Sequence, residues 1–187
     1  MWAIRSFAPT PRTPRDRRAA GAGVIEAVKS RGLNQIERRQ TALGNEKTRI
    51  AKAKFLTETH KAALTAINES TSSGLSQLAD KIQGETNFEQ LKAECRQIVE
   101  GYRVFALVRP QARLVMGSDR ELAAVTRLNT VADHLQTSID KAKANGKDTS
   151  SAEASLPTMR SAIASVDSHA SGVADAVIGR QPPDYNA

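Results

Sequence analysis

The chain has 187 residues, 40% hydrophobic, 4% aromatic and 25% charged, a length that suits one domain with a core rather than two large ones. Few aromatics, abundant alanine and many charges point to long helices around a thin core and argue against a compact α/β enzyme. The formal charge of +7 is concentrated in residues 1–40, which hold nine Lys/Arg against three acids, so the high pI reports an N-terminal arm more than a basic surface.

Residues 1–21 read as a disordered basic tail, with prolines at 9, 11 and 14 and no periodic apolar positions. Arg12, Arg15, Arg17 and Arg18 in this tail are candidate contacts for a polyanion. Residues 22–180 form the helical body, and residues 181–187 form a second short disordered tail. From Val24 a first helix is expected, with Ile36, Leu43 and Ile50 at intervals of seven. Gln40 and Lys47 between them are polar, so its buried stripe is expected to be narrow.

Thr57 is placed to cap a second helix, whose face is Leu64, Ile67, Thr71, Leu75, Leu78 and Ile82. The run from Glu69 to Gly74 is poor in helix formers, so fraying or a bend is expected there. Asn87, with Gln90 three residues on, opens a third helix whose apolar face is Leu91, Cys95, Ile98, Tyr102 and Phe105. Cys95 on that stripe reads as a small buried hydrophobe. Pro110 should then kink or break the chain. The helical pattern resumes at Leu114 and stops at Asn145-Gly146. Asp148 or Thr149 caps a last helix with a heptad stripe running from Ala152 to Val177, interrupted by Pro157. The expected fold is all-α, an elongated antiparallel bundle of four to five long helices joined by short links and kinked or broken near Pro110.

The chemistry-bearing residues form no catalytic pattern. His60, His134 and His169 are scattered and read as solvated, and no Gly-x-Ser-x-Gly elbow or phosphate-binding glycine loop occurs. No enzyme activity, metal or cofactor is therefore expected. The aromatic and arginine-rich segment Gly101–Gln111 offers Tyr102, Arg103, Arg109 and Gln111 as a partner surface. The competing reading is that Tyr102 and Phe105 fill the core while the arginines reach outward. The expected function is a structural or interaction protein that binds a protein partner or itself. Nucleic acid or an anionic surface polymer on the Arg-rich arm is the alternative.

The Tyr102-Arg103-Val104-Phe105…Pro110-Gln111 arrangement, followed by Leu114-Val115 and Ser118-Asp119-Arg120, resembles uncharacterised Ala-rich helical proteins of actinobacteria and Saccharibacteria-type bacteria. The similarity covers roughly residues 28 to 165. Members of that group typically begin with a secretory signal peptide, so the resemblance implies export or envelope association. The first residues here show no apolar h-region, which leaves a cytoplasmic location as the alternative.

Overall fold

The computed structural model describes the backbone of residues 14–185 and the side chains of residues 22–184. Among the described residues every regular element is helical: α1 (Pro14–Lys52), α2 (Glu58–Gly84), α3 (Phe88–Glu100), a π-turn (Val104–Val108), α4 (Arg109–Ala144), α5 (Ser150–Ala170) and α6 (Val173–Ile178), with a closing 3-10 turn at Pro182–Tyr185.

Two expected boundaries move. Helix α1 begins at Pro14, within the segment expected to be a tail, because proline in a first turn gives up only an N–H that has no helical acceptor. At the other end, Pro182–Tyr185 fold into a turn where disorder was expected.

Helices α1 and α2 run antiparallel, since Lys29 reaches the Gln83 carbonyl, Gln40 the Ser72 carbonyl and Lys47 the Glu69 carboxylate. Asn68, buried between them, donates to the Leu43 carbonyl at 3.1 Å. The run from Glu69 to Gly74, expected to fray, lies inside an unbroken helix. Within it Ser72 exchanges hydrogen bonds with Gln40 and Glu69 pairs with Lys47 across the α1–α2 seam, and Gly74 seats the Tyr102 ring. A Cβ on Gly74 would meet that ring at 2.6 Å. Thr57 and Asn87 cap α2 and α3 through their side chains, as their types and positions predict.

Helix α3 packs along both, and with α1 and α2 encloses a core of Ile36, Leu43, Leu75, Ile82, Leu91 and Ile98. Cys95 is half-buried against this core. The break that follows falls upstream of Pro110. Helix α3 ends at Gly101, and Arg103 adopts φ 41°, a left-handed conformation rare outside glycine. The π-turn then widens the helix just where an α-helical turn would press the Pro110 ring against the carbonyl of Ala106. Pro110 itself sits in the first turn of α4.

This rewinding changes which side chains are buried. Val104, Leu107 and Val108 enter the core, and Phe105, expected on the apolar face, is 47% exposed.

Helix α4 carries the chain past the end of α1. Its first half joins Ile50, Leu56, Leu64 and Ala174 in a second core through Ala112 and Val115. Its second half pairs with α5 in an antiparallel hairpin, tied by Asp133–Arg160 and Lys143–Glu153. Val125, Ala132 and Ile139 face Leu156 and Ile163 there. Helix α4 ends at Asn145-Gly146, with Gly146 left-handed as a helix-ending glycine should be. Asp148 accepts from the Ser150 N–H at the start of α5, and Pro157 sits within that helix without ending it.

The stripe expected to run to Val177 stops at Ala170 instead. Gly172, at φ 77°, turns the chain into α6, so Ala174 rather than Val173 faces the core.

Candidate functional site

Of the four residues expected to form one partner surface, Tyr102 and Gln111 line one small groove, and Arg103 and Arg109 lie outside its lining. Gln111 is 3% exposed, and its amide donates to the carbonyls of Val177, Ile178 and Arg180, which seats α6 and the segment after it. Tyr102 is half-buried against the first core. Arg103 holds the left-handed position between α3 and the π-turn. Arg109 faces inward toward Glu46 and Phe105. Arg12 lies outside the described residues, and of Arg15, Arg17 and Arg18 the backbone alone is described, as part of α1.

The α1 stripe is completed by charge rather than left narrow. Gly32, Ile36, Arg39, Leu43, Glu46 and Ile50 are all buried, at steps of four and three. Arg39 lies 5.2 Å and Arg109 5.7 Å from the centre of the Phe105 ring. Burial lowers the Arg39 pKa, because the guanidinium loses hydration it cannot fully replace. Glu46 is 1% exposed, with Arg49 at 3.6 Å and Arg109 at 3.9 Å. This group joins α1, the π-turn and α4 through three arginines, an aromatic ring and one carboxylate.

A second polar knot lies where α2, α4 and α6 meet. Asp119, buried, accepts from the Thr57 N–H at 2.8 Å and from His60 Nδ1 at 2.8 Å. His60 Nε2 lies 3.3 Å from Asp175 on α6. His60 is therefore not a solvated histidine: 15% of its side chain is exposed. Burial opposes its charge, but hydrogen bonds to Asp119 and Asp175 and their negative charges outweigh it, so its pKa is raised. The two carboxylates stand on opposite edges of the ring and do not converge on one point. The ring thus ties α2 to α4 through Nδ1 and to α6 through Nε2.

The open apolar surface lies on the hairpin. Leu128, Val131 and Leu135 on the outer face of α4 are 42%, 47% and 44% exposed, and Val166 on α5 is 43% exposed. Their steps of three and four place the α4 residues on one face, beside the seam that packs on α5. Toward the tip this face opens into a groove of about 630 Å³ lined by Leu135, Ile139, Ala142, Ala152, Leu156 and Met159.

No helix among the described residues is long and apolar enough to cross a membrane, and no cluster of three His, Cys, Asp or Glu groups is arranged to hold a metal ion. No family model, curated protein or solved structure matches this chain.

Proposed function

We propose that this chain is a non-enzymatic structural or interaction protein that binds a protein partner, or a second copy of itself, through a helix face. The supporting observation is the exposed stripe Leu128, Val131 and Leu135 on a hairpin whose two helices bury one seam and leave the adjoining face in water. Contiguous apolar side chains at helical spacing are costly to leave solvated and fit the face of another helix. A two-helix hairpin is also half of the commonest small bundle, so one or two further helices would complete it. Envelope association enters the proposal through the resemblance alone, and fractionation of cells followed by immunoblotting tests it separately.

The docking test is site-specific photo-crosslinking in cells. A crosslinking residue replacing Val131 should give discrete adducts, and one replacing Thr126, on the opposite side of α4, should give none. Equal labelling at both positions, or none at either, would overturn the reading.

A further inference from the structure

The outer face of α4 does not end with the hairpin. Upstream of Leu128 it continues at the same spacing through Ala124, Arg120, Gly117 and Arg113, and these positions are exposed or half-buried. There it borders a groove of about 450 Å³ beside the α1–α2 turn. The charged side chains lining this groove are Arg49, Lys52, Lys54, Arg113 and Arg120, and among the described residues no acidic side chain lines it. Arg49 is shared with the buried Glu46, but 52% of it remains exposed. The floor is apolar, formed by Ala53, Leu56 and Met116. Phe55 makes one wall, and Arg127 lies 5.0 Å over its ring, which fixes that wall.

We propose that this groove and the α4 face beyond it take an amphipathic helix of another protein, one that carries several Asp or Glu residues at the end seated among Arg49, Lys52, Lys54, Arg113 and Arg120. The inference rests on the reading of the α4 face as a docking surface and adds the partner's chemistry. A basic rim around an apolar floor, running into an apolar stripe, complements a helix that is apolar along one face and acidic at one end. Nucleic acid fits less well, because a phosphate backbone offers nothing to Met116, Leu128, Val131 and Leu135. A second copy laid parallel would set five basic side chains against five more.

The experiment uses the full chain and three fluorescent probes. Two are amphipathic peptides of about 20 residues with one apolar stripe, carrying Glu or Lys in the first two turns. The third is a single-stranded oligonucleotide matched in negative charge to the acidic peptide. The acidic peptide should bind about tenfold more tightly than the basic one, the sum of several exposed ion pairs. That preference should fade at about 0.5 M salt and largely disappear in the Arg113→Glu/Arg120→Glu variant, where Arg49, Lys52 and Lys54 face two carboxylates. Equal binding of both peptides, binding of the oligonucleotide as tight as that of the acidic peptide, or no peptide binding would overturn the proposal.

The same double variant separates this inference from the one beneath it. If adducts at position 131 survive the charge reversal undiminished, or have the mass of two copies of this chain, the acidic partner is wrong and the docking face stands.

Discussion

Glu46 shows how a charged residue can occupy a core position. It sits on the buried stripe of α1 with Arg109 and Arg49 nearby, so removing it leaves Arg109 facing Phe105 and Arg39 without a counter-charge. Glu46→Ala should cost about 2–3 kcal/mol by urea denaturation, the lower end for a broken buried pair because both arginines keep some contact with water. Gly74 makes a different demand. Alanine is favoured over glycine in a helix by about 1 kcal/mol, yet its Cβ would displace the Tyr102 ring from its seat. Overpacking of that kind costs about 1–3 kcal/mol, so Gly74→Ala should lower stability rather than raise it. Pairing it with Tyr102→Ala should restore the alanine advantage, which a double-mutant cycle would read.

Between elements, the His60 tie carries a pH dependence with a defined sign. Its folded pKa is raised above 6.5, so its contribution is complete below that value and is lost as pH rises through the folded pKa. A neutral imidazole can donate from one nitrogen only, and keeping Asp119 leaves a lone pair facing Asp175 on α6. Thermal melts at several pH values should therefore show His60→Gln below the native chain in mildly acidic buffer and level with it at alkaline pH. Gln111→Ala should loosen the same helix at every pH, seen as faster amide exchange across Val173–Ile178 with little change in α1 or α2.

The all-helical fold could be read from the sequence wherever its signals were local. Thr57 and Asn87 as caps and Asn145-Gly146 as a stop are decided within one turn of chain. Arg39 and Glu46 were illegible because charge on a stripe ordinarily marks its solvent edge, and here Phe105 and Arg109 cover it from sixty or more residues away. The partners of His60 were hidden for the same reason, since Asp119 and Asp175 are brought to it by tertiary contact. The left-handed Arg103 carries no local signature at all, and it is this residue that moved Phe105 out to solvent. Gly172 could have been read as a helix end, but a regular run of apolar spacings ran straight through it.

Across the whole molecule, helix α4 belongs to two bodies. Its first half is held by α1, α2 and α6, and its second half meets α5. A Leu128→Glu/Leu135→Glu chain should keep its helical circular dichroism and lose only about 0.5 kcal/mol per site, since the two side chains are already 42% and 44% exposed. Adducts at position 131 should nevertheless disappear. The uneven support of α4 also bears on how the protein comes apart. Among the described residues the clasp of Val125, Ala132 and Ile139 on Leu156 and Ile163 draws on α4 and α5 alone, whereas the other half of the rod is walled in. Warming should peel the far end open while the near end is still closed, and what a scanning calorimeter records should be two overlapping heat-absorption peaks rather than one.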